Sequence, residues 1–306
     1  MKKFRVFATL GILFLIVLIA VNAKKFIGCA LDGISAWAFN VLPCILPFMI
    51  LTKIIIELGE MEKLTKPFAR PFKALYGTSP SASYVFFMSI LAGYPVGSKM
   101  TADLYESGKI SKTEAYRMSS FCSNSGPMFI VGTVGALLLN NAAVGGILFV
   151  SHVLSALING LIFRKIKAKG DEEKSEIKHA VQASSSFGDI VLSSVQGVLT
   201  VGAIICLFFI IIEALSPLFN LLPSSLVPLA EGFIELTRGC IDASNLSLFP
   251  AAVICSFLIG FGGISTILQS MAMLKKLKMP VWLFSVFKLT QGIISAAITA
   301  LIMLVI

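Results

Sequence analysis

The sequence predicts an all-α polytopic membrane protein made of two inverted repeats with re-entrant helical hairpins and broken helices. Three observations carry that expectation. Apolar side chains make up 57% of the 306 residues and charged ones only 13%, against about 25% charged in a soluble domain, and mean hydropathy is +0.91. Several apolar stretches stop near half the length that a hydrocarbon core of about 30 Å requires, each cut by a string rich in Gly, Ser or Pro. Related strings recur in both halves of the chain. A large soluble catalytic domain is excluded, and the length leaves room for about eight to ten membrane segments. The excess of 25 basic over 16 acidic side chains fits cytoplasmic loops rather than a nucleic-acid partner.

Residues 6–21 form an apolar run behind Met1-Lys2-Lys3-Phe4-Arg5. It is long for a signal-peptide core and Lys24 and Lys25 follow at once, so an uncleaved anchor over 1–32 is favoured over a leader cut at Val21-Asn22-Ala23. A second span is expected over 33–56. Glu57, Glu60, Glu62, Lys63, Lys66, Arg70 and Lys73, punctuated by Pro67 and Pro71, then read as a solvated connection. Residues 83–92 cannot cross alone. Gly93-Tyr94-Pro95-Val96-Gly97-Ser98 interrupts them and 99–108 is polar and helix-compatible, which predicts a hairpin that dips in and returns. Ser111-Lys112-Thr113-Glu114 is a capping-box pattern, opening a helix that Ser123-Asn124-Ser125-Gly126-Pro127 breaks before an apolar run to Leu139. A span over 144–163 leads to a loop with Arg164, Lys165, Lys167, Lys169, Lys174 and Lys178, cytoplasmic by the positive-inside rule.

The second half predicts a span over 195–215, a Pro- and Ser-rich stretch, and a half-length segment over 249–259. Gly260-Phe261-Gly262-Gly263-Ile264-Ser265 is expected to be the tip of a second hairpin that returns over 266–278. The last span, 281–305, carries Thr290-Gln291-Gly292. Trp37 and Trp282 fit interfacial anchors.

The two halves align at Ile54-Ile55-Ile56-Glu57 with Ile210-Ile211-Ile212-Glu213, at 91–98 with 258–265, and at Ser123-Asn124-Ser125 with Thr290-Gln291-Gly292. The chain divides accordingly into a first repeat over 33–163, a basic linker over 164–190 and a second repeat over 191–306. With the linker inside, the second hairpin must enter from outside, so the copies are inverted, as in secondary transporters. This topology places Lys275, Lys276 and Lys278 outside, against the charge rule. A complete span over 226–240 would make the repeats parallel instead, and Pro228, Glu231, Glu235 and Arg238 make it a poor one.

Hairpin tips and helix breaks release backbone N–H and C=O groups that can hold ions or polar solutes. The candidate solute-binding residues are therefore Gly93, Tyr94, Pro95, Gly97, Ser98, Ser123, Asn124, Ser125 and Gly126 in the first half. In the second they are Gly260, Gly262, Gly263, Ser265, Thr266, Thr290 and Gln291. Small polar residues also serve plain helix packing in membranes. Glu235 and Lys288 are candidate coupling residues because ionisable groups in lipid are costly; a local Glu235–Arg238 pair and a snorkelling Lys288 are the plainer readings. Glu57 and Glu213 read as interfacial, and His152 as a packing histidine. The six cysteines form no CxxC pair, and His152 and His179 lack an HExxH context. No metal, cofactor or catalytic group is expected.

The strings 91–104, Gly108-Lys109-Ile110-Ser111, 119–130, Glu235-Leu236-Thr237-Arg238-Gly239 and 260–265 resemble the YlbJ-like sporulation integral membrane proteins of the nucleoside-recognition, or Gate, domain family. The resemblance covers 42–306. It implies a Gate-type fold related in plan to concentrative nucleoside transporters, two Gate-type repeats, and a role in spore cortex formation; it implies no particular substrate. The expected function is a transporter or permease of a small polar solute in the bacterial cytoplasmic membrane. The alternative is a non-transporting membrane scaffold in spore-envelope assembly. The partners expected are the solute and the bilayer, with self-association into a homo-oligomer left open and no nucleic acid.

Overall fold

The computed structural model describes residues 2–58, 60–168 and 186–305, and among them every regular element is helical. Most of the basic loop, with Lys169, Lys174, Lys178 and His179, lies outside the described residues. Among the described residues four helices are long and apolar enough to cross a membrane, or five with one bent pair. That is fewer than the sequence length suggested, because much of the apolar chain folds into shorter helices buried against one another.

The N-terminal run is α1 (Lys2–Val21), which a bend of 103° separates from the next helix. That helix, α2 (Ala23–Ser35), begins ten residues before the expected span. It continues through a π-helical segment (Ala36–Val41) into α3 (Leu42–Glu57). Lys24 and Lys25 are therefore helical, and Lys25 pairs with Glu213 at 2.5 Å. The expected solvated connection is instead α4 (Glu60–Tyr76), with Pro67 and Pro71 inside it. Burial of Thr65, Phe72 and Tyr76 on one face, with Leu64, Phe68 and Leu75 exposed, shows tertiary packing overriding local propensity.

The chain turns at the first Gly-rich string. Helices α5 (Ser81–Ala92) and α6 (Val96–Glu106) pack on each other around a turn at 93–95. Gly93 has φ +73°, which a side chain would strain. Next, α7 (Lys112–Ser119) starts with half of the capping box. The Ser111 hydroxyl accepts the Glu114 N–H at 3.1 Å, but the Glu114 carboxylate turns away to the Ser79 N–H. After the break comes a π-helical segment (Met128–Leu138), then α8 (Ala142–Phe163).

The second half departs from expectation. Helix α9 (Phe187–Phe219) is one 33-residue helix opened by a Ser186/Asp189 capping box. Residues 226–243 form no complete span but a tight pair, α10 (Val227–Ile234) and α11 (Leu236–Ala243), turning at Glu235. The pair is so close that a Cβ on Gly239 would stand 2.3 Å from Gly232 Cα. By contrast α12 (Leu248–Phe261) and α13 (Gly263–Met273) run on as a single candidate span, Leu248–Met273. The expected hairpin at Gly260–Ser265 is absent: Gly262 in the left-handed region (φ +86°) interrupts the helix without turning it back. Helix α14 (Val281–Val305) is continuous through Thr290-Gln291-Gly292.

Packing contacts fix which ends lie together. Ala168 N–H donates to Thr113 Oγ1 (2.9 Å), Arg117 to the carbonyls of Ile166 (3.2 Å) and Gly77 (2.9 Å), and Tyr116 OH to the Lys278 carbonyl (3.3 Å). Lys276 pairs with Glu106 at 2.5 Å. The open end of α5–α6, the exit of α8 and Lys275, Lys276 and Lys278 therefore share one end of the molecule. The expectation that those lysines face away from the basic loop is corrected, because α12–α13 crosses instead of returning. Helix α14 runs antiparallel to both α8 and α12, with Asn159 Nδ2 on the Phe287 carbonyl (2.9 Å) and Ser256 on Ser295 (2.8 Å). The start of α12, and with it the open end of α10–α11, thus lies at the opposite end.

Candidate functional site

The two hairpin turns meet at one cavity of about 110 Å³, room for several waters or one small solute. The first turn supplies Gly93, Tyr94 and Pro95, and the second supplies Glu235 and Thr237. Ser125 and Gly126 enter from the break after α7, and Thr266 and Gln269 from α13. Phe48 and Met49 of α3 and Val201 and Ile205 of α9 close an apolar wall. Each turn rests on a break. A Cβ on Gly93 would lie 3.0 Å from Gly126 N, and one on Gly263 would lie 3.0 Å from the Gly232 carbonyl oxygen.

The chemistry of the second turn comes from local geometry. Glu235 is 3% exposed and accepts the Arg238 N–H at 2.7 Å, capping α11. The Arg238 guanidinium does not pair with it; it joins Glu231 and Asp242, both at 3.0 Å, and lies over the Phe209 ring. The expected local Glu235–Arg238 ion pair is thereby corrected. Glu235 lines the cavity, and its carboxylate is in none of the ion pairs among the described residues.

Behind the first turn, the break over 120–127 hands its released backbone groups to side chains. Ser120 O accepts from Asn159 Nδ2 (2.7 Å), Phe121 O from Asn124 Nδ2 (2.8 Å) and Ser123 O from Lys288 Nζ (2.7 Å). The Ser125 N–H donates to His152 Nε2 at 3.1 Å, so this histidine does more than fill space. Asn124 also donates to Ser89 Oγ (2.8 Å) and receives Gln291 Nε2 (3.0 Å). The two residues aligned as repeat equivalents are thus hydrogen-bonded to each other. Ser98 and Ser270 reach Ser123 Oγ at 3.3 and 3.4 Å.

Of the sequence-predicted residues, Gly93, Tyr94, Pro95, Ser125, Gly126, Thr266 and Glu235 line the cavity. Ser98, Ser123, Asn124, Gln291 and Lys288 form the buried network behind it. Gly97 and Gly260 are packing contacts, against Ser89 and Cys122 and against Gly292. Gly262 lies by Thr266 and the Tyr94 hydroxyl. Ser265 Oγ is buried without a hydrogen-bond partner, and Thr290 bonds Asn159 Oδ1 at 2.6 Å. The Trp37 indole N–H donates to the Val198 carbonyl at 3.1 Å within the helix packing, while Trp282 is exposed. Thr237 and Gln269 were missed; the three-residue spacing of Thr266 and Gln269, one helix face, was the available signal for the latter.

Among the described residues no cluster of His, Cys, Asp and Glu could hold a metal ion. A family model described as Gate, nucleoside recognition, matches residues 38–142, which contain the first hairpin and the first break but not the second turn. A curated relative, the sporulation integral membrane protein YlbJ of Bacillus subtilis (strain 168), is 31% identical over 311 residues. The alignment covers 88% of this chain and 76% of the relative. The chain belongs to the YlbJ family of sporulation integral membrane proteins. As a YlbJ-family member it is a multi-pass protein of the bacterial membrane. No solved structure matches it.

Proposed function

We propose that this YlbJ-family protein is a permease, not an enzyme, that moves a small polar solute during sporulation. Its two hairpins are re-entrant and its two halves are inverted repeats. The observation that carries this reading is the meeting of two hairpin turns, entering from opposite ends, at one cavity lined by Glu235, whose carboxylate has no cationic partner among the described residues. Irregular backbone is tolerable at membrane depth only when packed in protein or lining a cavity, and secondary transporters put their solute sites at such places. The repeat register that supports inversion pairs α5–α6 with α10–α11, the broken α7 span with α12–α13, and α8 with α14. It replaces the sequence register that matched 91–98 to 258–265.

The test is a thermal-unfolding screen of the purified protein against nucleosides, bases, dipicolinate, amino acids and short peptides, with Glu235→Gln beside it. A bound solute raises native stability by mass action. A solute that stabilises the wild type and not Glu235→Gln, and that enters vesicles containing the protein, supports the reading. Equal stabilisation of both removes the cavity from the reading, and binding without uptake favours the scaffold.

A further inference from the structure

Lys288 lies in the first third of α14, is 2% exposed, and takes part in none of the ion pairs among the described residues. An ammonium brought from water into a protein interior costs several kcal/mol unless its protons are matched. Here they are matched by oxygen and ring electrons. Nζ donates to the Ser123 carbonyl at 2.7 Å and to Gln291 Oε1 at 2.6 Å, and stands 5.0 Å from the centre of the Tyr94 ring, within cation–π range. Gln291 donates its NH2 group to Asn124 Oδ1, which turns Oε1 toward the ammonium.

The position has a physical reason. The break leaves carbonyls free beyond the C-terminal end of α7, where the helix dipole is negative. Neutral amides from Asn159 and Asn124 take two of them, and a cation takes the third. Unwound carbonyls at a broken span are what secondary transporters use to hold a coupling cation. We infer that Lys288 is a tethered cation: its ammonium fills a monovalent-cation site made by Ser123 O, Gln291 Oε1 and the Tyr94 ring. It pins the first break to α14, and no dissociable metal cation is needed at that place. This inference stands on the break and not on the solute reading.

The experiment measures thermal unfolding of the purified full chain with ammonium, methylammonium or choline chloride at constant ionic strength. Lys288→Ala unfolds below the wild type and recovers saturably with ammonium or methylammonium, but not with choline, which is too large for the vacated space. The wild type and Lys288→Met show no such selectivity. Lys288→Ala responding alike to ammonium and choline overturns the inference, as does wild-type stability in Lys288→Gln, which keeps hydrogen bonding without charge. If Lys288→Ala is recovered folded only from some extractions, its folded yield in ammonium against choline is compared, and equal yields overturn it too. No solute is added, so a blank solute screen leaves this result standing, and its failure leaves the cavity reading untouched.

Discussion

Glu235 adopts φ −137° and ψ 119° at the turn between α10 and α11, and its carboxylate does two things there. It caps α11 through the Arg238 N–H and presents acceptor capacity to the cavity. Glu235→Gln keeps an oxygen for the cap and removes the charge. Solute uptake is expected to fall at least about tenfold, in line with the loss of a charged hydrogen bond, while the unfolding temperature stays near wild type; unchanged uptake would remove Glu235 from the site. Arg238 has a different duty, neutralising Glu231 and Asp242. Because Arg238 is one-third exposed, Arg238→Ala is expected to cost about 2 kcal/mol, below the figure for a fully buried pair. Thermal or denaturant unfolding measures it, and a variant as stable as wild type would show the two carboxylates need no cation.

The hairpins are held at their elements' closest points. In the first, a Cβ on Gly97 would come 1.8 Å from the Cys122 carbonyl oxygen and 2.5 Å from Ser89 Cβ. Gly97→Val should abolish uptake, as should Gly239→Val in the second hairpin, whereas Gly146→Ala, with open space around it, should stay within about 0.5 kcal/mol of wild type or gain slightly. Normal uptake by Gly97→Val would mean the arms do not need to touch. The first hairpin was legible in the sequence because its turn needs glycine at positive φ and its arms differ in polarity. The second was not. Its turning residue sits in extended backbone open to any L-residue, so it leaves no signature, while the Gly-rich string at 260–265 resembles a turn yet only interrupts a helix that runs on.

Seen as a whole, α12–α13 running on as one candidate span brings Lys275, Lys276 and Lys278 to the end that holds Glu106, Thr113 and the exit of α8. Cysteines placed at Lys276 and Lys167 in a cysteine-free background are expected to react from the same side of the membrane, and one at Leu221, which is 81% exposed, from the other. Reaction of 276 and 167 from opposite sides would restore the returning hairpin. The cavity can also be tested from its far wall: Gly197 of α9 lines it and faces only the mobile end of Met49. Gly197→Leu is expected to fill the space and block uptake with the fold intact, and full uptake would place the solute path elsewhere.

Hydropathy, half-length apolar segments and the Ser123–Pro127 string were enough to point to a helical membrane protein, a helix break at 120–127 and a turn at 93–95. Each of these depends on local length, polarity and backbone freedom, which are written residue by residue. Which half-length segment turns back, which end the lysines occupy, and that Glu235 and Gly93 line one cavity were decided only by tertiary structure. These follow from contacts between residues far apart in the chain, such as Asn124 with Gln291 and Lys276 with Glu106, and no local pattern encodes which distant partner satisfies a released backbone group.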